Sequence, residues 1–286
     1  MPHHATIKDV ARLAGVSYQT VSKVINRRMA VTRATEERIW GAVRALDYHP
    51  SQAARSLRLN QSRAIGYSWV PIHPDQINPI LDRLLQSMLA AAERRGYSIL
   101  TFAYHTDPSE QEAAYRGLMD TGRVDGFVLS SVEYDDPRIR LLQESRFPFM
   151  AFGRSNPGQA LPCVDVDGGL GIEMAVQHLA SLGHARIAAL AWPTQSRVGN
   201  NRMDGYLSGL EKAGLPYRPE LVLRGEGRAA FAYNATRLLL EMPAENHPTA
   251  IVAFNDSMAF GAMHAAAERG IHIGRDLAIT GFDDSP

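Results

Sequence analysis

Thr6-Ile7-Lys8-Asp9-Val10-Ala11-Arg12-Leu13-Ala14-Gly15-Val16-Ser17-Tyr18-Gln19-Thr20-Val21-Ser22-Lys23-Val24-Ile25-Asn26 is the stretch that decides how the chain is read. Thr6 with Asp9 three residues on is a start signal for one helix, Gly15-Val16 is a tight turn, and Ser17 starts a second helix running to about Asn26. Ile7, Val10, Ala11 and Ala14 share one face of the first helix, and Val21, Val24 and Ile25 share one face of the second. A third helix follows, with Thr32 or Thr35 as its cap, Glu36 and Glu37 in its first turn, and Ile39, Val43 and Leu46 closing a small three-helix core. Two short capped helices around a glycine turn have the geometry of a helix-turn-helix.

The polar side of the second helix carries Tyr18, Gln19, Ser22 and Lys23 near its N-terminal end, the end that enters a major groove. The Gln amide can pair with an adenine edge, Lys with guanine acceptors or a phosphate, and Tyr adds area and a hydroxyl. Thr6, Ser17, Thr20 and Asn26 complete the DNA-facing candidates. The alternative is an amphipathic hairpin with a solvated polar face, and charge decides between the two. The whole chain of 286 residues balances 30 Lys and Arg against 30 Asp and Glu. Residues 1–63 hold eleven basic and four acidic side chains, a net of +7, which leaves nineteen basic against twenty-six acidic beyond. A basic head on an acidic body favours phosphate binding by the head.

Composition is that of ordinary globular material, 45% apolar and 21% charged. Cys163 stands alone, so no intramolecular disulfide forms, which suits a reducing compartment. The first residues lack the basic and apolar regions of a signal peptide, and no apolar run approaches a membrane span, so the expectation is a soluble, cytoplasmic protein.

Tyr48-His49-Pro50 stops the third helix. Residues 51–58 could make two helical turns, marginal alone. With Arg55, Arg58 and Arg63 nearby, Leu57 is either a minor-groove wedge on a helix that folds on DNA or part of a plain linker, the reading composition favours. From Ile65 onward, strand candidates (65–70, 97–103, 126–130, 149–152, 186–190, 221–223, 250–254, 277–281) alternate with helical segments (80–95, 110–119, 170–182, 201–213, 231–240, 257–269). That alternation means α/β architecture, parallel sheets with helices on both faces. Ligands collect at the carboxyl ends of such strands, here at Gly153-Arg154-Ser155, Asn255-Asp256 and Asp283-Asp284.

These residues resemble the lactose-repressor (LacI) family of bacterial transcription regulators over essentially the whole length. The resemblance rests on Thr6 to Ala11, Gly15-Val16-Ser17, Thr20-Val21-Ser22, Ala53 to Leu57, Ser181-Leu182-Gly183-His184, Arg202 with Gly205-Tyr206, Asn255-Asp256 and Gly281-Phe282-Asp283-Asp284. It implies an all-α head (1–49), a hinge helix and linker (50–63), and a two-lobed body like periplasmic binding proteins (64–286). Such a protein works as a homodimer on a near-palindromic operator, controlled by a small molecule between its lobes. Ser17-Tyr18-Gln19-Thr20 looks like the segment of the repressor that gives the family its name, with Lys23 where an arginine is expected. Lys lacks the bidentate fork of Arg, which speaks against the same operator.

The same resemblance makes Arg202, Asn255, Asp283 and Arg154 effector-contacting candidates. Arg and Asp can bracket vicinal hydroxyls, which suits a sugar or glycoside. A phosphorylated sugar stays open through Arg154 and Arg197. Gly227 falls near where an aromatic often stacks on the ligand, with Trp69, Tyr104, Trp192 and Phe231 as substitutes. Ser196 falls near where purine-responsive members carry arginine, which speaks against a purine. Asp256 and Asp284 can equally cap helices or fix loops. His178 and His184 lack metal-ligand spacing, Asp167-Gly168-Gly169-Leu170-Gly171 reads as a turn, and no cofactor is expected. A sugar-binding protein, or a sugar-modifying enzyme using Asp283 and Asp284, is the alternative. No nucleophile and base accompany that pair, and the basic head would have no role. Members of the resembled family continue beyond a strand like 277–281 through a crossover to the first lobe. The chain therefore reads as cut short, and a longer form is expected to be more stable and a firmer dimer.

Overall fold

The computed structural model describes residues 5–26, 31–49, 61–69 and 79–285. The chain forms two units, Met1–Arg63 and Ala64–Pro286. In the first, α1 (Ile7–Ala14), α2 (Tyr18–Ile25) and α3 (Arg33–Ala45) make the head. The Asp9 carboxylate accepts from the Thr6 peptide N–H at 2.9 Å and from the Thr6 hydroxyl at 2.6 Å, which fixes the start of α1. Gly15 ends α1 at φ 64°, a left-handed conformation that glycine adopts without steric cost. The Ser17 hydroxyl accepts from the Thr20 N–H at 3.1 Å and starts α2. Thr32, and not Thr35, is the residue before α3.

Helices of eight residues do not hold themselves. Here Val10, Ala11, Ala14, Val21, Val24, Ile39 and Ala42 form one core, with Ile7, Val16, Ile25, Val43 and Leu46 packed around it. Full burial of side chains such as Val10, Val21 and Ile39 contributes about 1.5–3 kcal/mol each.

The body holds two all-parallel sheets. The first lobe uses β1 (Ala64–Trp69), β2 (Ser98–Ala103), β3 (Gly126–Leu129), β4 (Phe149–Phe152) and β5 (Cys163–Val164) in the order β2-β1-β3-β4-β5. The second uses β6 (Ile187–Ala191), β7 (Val222–Arg224), β8 (Ala250–Ala253) and β9 (Ala278–Thr280) in the order β7-β6-β8-β9. Parallel neighbours demand crossovers. Those of the first lobe run through α4 (Pro79–Arg94), α5 (Pro108–Asp120) and α6 (Pro137–Glu144). Helix α7 (Gly168–Ser181) leads into the second lobe, whose crossovers run through α8 (Arg197–Lys212), α9 (Ala229–Leu239) and α10 (Asp256–Glu268).

Every residue of β6 and β8 is buried, which is why both read as unbroken apolar runs. Tyr115, Phe127, Leu129 and Leu142 centre the core of the first lobe, and Ile172, Leu190, Tyr206 and Phe254 that of the second. Each sheet reverses its winding beside its first strand, between β1 and β3 and between β6 and β8. Those are the switch points whose carboxyl ends open a crevice in doubly wound sheets.

The spacing of apolar residues misses two elements, β5 and α6. The first is a two-residue edge strand, too short to show a period. The second is announced by Asp136-Pro137, whose Asp carboxylate accepts from the Arg138 N–H at 3.0 Å with Pro at the first helical position. The head core is separate from the two body cores. Ile39→Ala is therefore expected to destabilise the head by about 2–5 kcal/mol and leave the body's calorimetric transition in place; a body transition that falls with it would contradict separate cores.

Candidate functional site

In the head, the hydroxyls of Thr6 and Ser17 are engaged at helix starts, and the Thr20 hydroxyl shares a 2.9 Å bond with Ser17. Asn26 donates its amide to the Ser22 carbonyl at the end of α2. Tyr18, Gln19 and Lys23 are exposed and make no side-chain hydrogen bond among the described residues, so their polar groups face solvent, the first two from the first turn of α2 and Lys23 from its last. The positive end of that helix lies beside Tyr18 and Gln19, which favours phosphate nearby. Leu57 lies outside the described residues, as do Arg55 and Arg58.

At the carboxyl ends of β6, β8 and β9 the second lobe gathers Trp192, Arg202, Asn255, Phe282 and Asp283. Arg202, projecting from α8, is buried. Its guanidinium lies 3.9 Å from the centre of the Phe282 ring and 4.9 Å from that of Trp192, so aromatic faces flank it. It donates to the Phe254 carbonyl and reaches Asp283 Oδ1 at 3.4 Å. Burial pushes the Asp283 carboxyl above its ordinary value, against the pull of Arg202. Burial likewise pulls the Arg202 guanidinium below its own, against Asp283. Arg202 Nε has no partner among the described residues. Asp283 and Asp284 both have positive φ, 110° and 51°, which for non-glycine residues stores strain beside the carboxylate that meets Arg202.

Asn255 precedes α10 and accepts from the Met258 N–H at 2.8 Å, while its amide donates to the Gly227 carbonyl at 3.0 Å. Each polar atom keeps capacity for one further bond. Asp256 fixes the loop instead: it accepts from the Ser285 N–H at 2.6 Å, and its own N–H reaches the Phe282 carbonyl at 3.0 Å. Asp284 is exposed. A methyl at Gly227 would sit 2.4 Å from Trp192 Nε1, and one at Gly199 2.7 Å from Trp192 Cβ. Two glycines thus make room for one indole. Of the four aromatic candidates, Trp192 is the one beside Arg202; Trp69 packs on Tyr67, Tyr104 lies under Arg138, and Phe231 abuts Gly225.

Arg154 stands elsewhere, on the first lobe, half-exposed, with Nε 3.1 Å from Asp165 Oδ2. The same oxygen lies 3.2 Å from Arg197 Nη2 of the second lobe. One carboxylate thus serves both arginines. Glu133, on the loop after β3, accepts from the Arg197 N–H at 2.6 Å, and desolvation pushes its carboxyl above the ordinary range against that bond. Ser196, whose hydroxyl accepts from the Gly199 N–H at 3.2 Å, starts α8. Sequence reasoning singled out neither Glu133 nor Asp165, which follow β3 and the two-residue β5. Among the described residues no three His, Cys, Asp or Glu side chains are arranged to hold a metal ion, and no helix is long and apolar enough to cross a membrane.

Residues 6–51 match the model for bacterial regulatory proteins of the lacI family, and residues 70–283 that for periplasmic binding proteins and the sugar binding domain of the LacI family. An HTH-type transcriptional repressor PurR of Erwinia tasmaniensis is 33% identical over 285 residues, 98% of this chain and 81% of that one. A LacI-family regulatory protein from Chloroflexus aggregans is 51% identical over 79% of this chain and 80% of its own, with a TM-score of 0.76. The lac repressor dimer bound to operator and the anti-inducer ONPF is 27% identical over 99% of this chain and 83% of its own, with a TM-score of 0.85.

The crowding around Trp192 gives a direct test. Gly227→Ala is expected to destabilise the body by about 1–3 kcal/mol in urea unfolding, and adding Trp192→Phe should recover most of that loss. Additive losses in the double variant would mean that the two positions do not share space.

Proposed function

Because this chain belongs to the LacI family of bacterial regulatory proteins, and is a DNA-binding transcriptional regulator, we propose how it reads DNA and what controls it. A homodimer presents two heads to a near-palindromic operator in the bacterial cytoplasm. Tyr18, Gln19 and Lys23 choose the bases, and the surrounding Lys and Arg hold phosphates without regard to sequence. The exposure of these three side chains, against the engagement of Thr6, Ser17, Thr20 and Asn26 in the helix ends, supports that division of labour.

The effector is an uncharged sugar or glycoside held in the crevice between the lobes by Arg202, Asn255 and Asp283, with Trp192 offering an aromatic face. One observation carries this reading: Arg154, Arg197 and Arg202 each already meet a carboxylate of this chain. A phosphate ester would have to compete with Asp165 or Asp283 for its counter-charge, whereas vicinal hydroxyls accept from the guanidinium and donate to the carboxylate together. The same pairing supports a regulator with no catalytic role, since Asp283 is ion-paired, Asp284 is exposed, and the two do not act as an acid and base.

Two outcomes are expected. Gln19→Ala loses about 1–3 kcal/mol on the operator and little on random DNA in electrophoretic titration; equal losses on both would refute the assignment. Asp283→Asn abolishes the response of operator binding to sugars while leaving binding without sugar unchanged, and undiminished sugar heats in calorimetry would overturn the cleft assignment.

A further inference from the structure

Among the described residues, three short segments carry polar contacts from the first lobe to the second. Glu133 and Tyr134 lie on the loop between β3 and α6, Asp165 follows β5, and Arg197 and Asn200 form the first turn of α8. Glu133 accepts from the Arg197 N–H at 2.6 Å, Asp165 lies 3.2 Å from the Arg197 guanidinium, and Asn200 donates to the Tyr134 hydroxyl at 3.4 Å.

The first-lobe half is braced in advance. Asp135 and Asn156 exchange bonds of 3.1 and 2.8 Å, and the Ser155 hydroxyl donates to the Glu133 carbonyl at 2.9 Å, so the loops after β3 and β4 are clipped together. Beneath them the buried Arg138 holds the Ser130 and Ser131 carbonyls at 3.1 Å and pairs with Asp136. The ion pair across the lobes is drier than a surface bridge, with the Arg197 and Asp165 side chains 9% and 15% exposed. A charge-assisted bond to a peptide N–H at a helix start adds to it.

We infer that Glu133, Asp165 and Arg197 form a clasp that holds the lobes together before any effector arrives, with Glu133 the positioning residue that presses the first-lobe loop onto α8. An effector filling the crevice then meets lobes already close, and its apparent affinity depends on the fraction of molecules that are closed. The consequence for affinity rests on the cleft being the effector site; the clasp itself does not.

The test is a pulsed electron paramagnetic resonance distance measurement on the full chain, with nitroxides at Asp120→Cys and Glu211→Cys on opposite lobes in a Cys163→Ser background. Without sugar, the parent is expected to give one narrow distribution. Glu133→Ala should add a longer population, and Glu133→Gln, whose amide oxygen still accepts from the Arg197 N–H, a smaller one. Asp165→Asn should also lengthen the distribution, which keeps the test intact if Glu133→Ala fails to fold. Calorimetry with glucose, galactose and cellobiose should find a roughly tenfold weaker affinity in Glu133→Ala for whichever of them binds the parent. Distributions identical to the parent in Glu133→Ala and Asp165→Asn would overturn the clasp. Lobes that open in the variants, with none of these sugars binding the parent, would uphold the clasp and count against the effector reading.

Discussion

A guanidinium withdrawn from water must be answered by acceptors, and Arg202 imposes that requirement on the second lobe at the carboxyl ends of its strands. Its charge lies between Phe282 and Trp192, and its bonds go to the Phe254 carbonyl and to Asp283. Those partners belong to the ends of β8 and β9, so one side chain from α8 ties both strand ends together. The strained backbone at Asp283 and Asp284 follows from the need to bring a carboxylate to that point. Glycine at 199 and 227 follows from the need to seat the indole. The crevice is thus lined by groups whose charges are balanced from within.

The parallel sheets explain why the crevice is where it is. Both lobes reverse their winding beside their first strand, and both leave polar loops at the carboxyl ends. The first lobe contributes carboxylates, Glu133 and Asp165, and the second contributes the start of α8. Opposite charges facing across the gap favour approach of the lobes. A ligand that bound there and preferred one spacing of the lobes over another would have the differential interaction that shifting an equilibrium requires.

Much of this was legible in the sequence because it depends on short-range signals. Thr6, Gly15 and Ser17 act within three or four residues of themselves, and the runs at 187–191 and 250–253 announce buried strands without reference to anything distant. The helix starts were harder. Asp107, Asp167 and Ser196 cap helices that begin before their apolar period does, so α5, α7 and α8 start two to four residues earlier than periodicity places them. At the cleft, Arg202 and Asp283 come together as the motifs suggest, while Arg154 is on the other lobe with Asp165. The clasp was not legible. Glu133 and Arg197 are 64 residues apart, and nothing local to either residue encodes the other.

The claim that the cleft answers its own charges, and so takes an uncharged effector that governs the grip on DNA, is tested most directly by one titration. Fluorescence anisotropy of the full chain on its operator would be followed against a neutral sugar and against the 6-phosphate of the same sugar. The neutral form is expected to shift operator affinity at concentrations at least roughly tenfold below those the phosphate needs. A phosphate ester that acts at lower concentration than its parent sugar would contradict it.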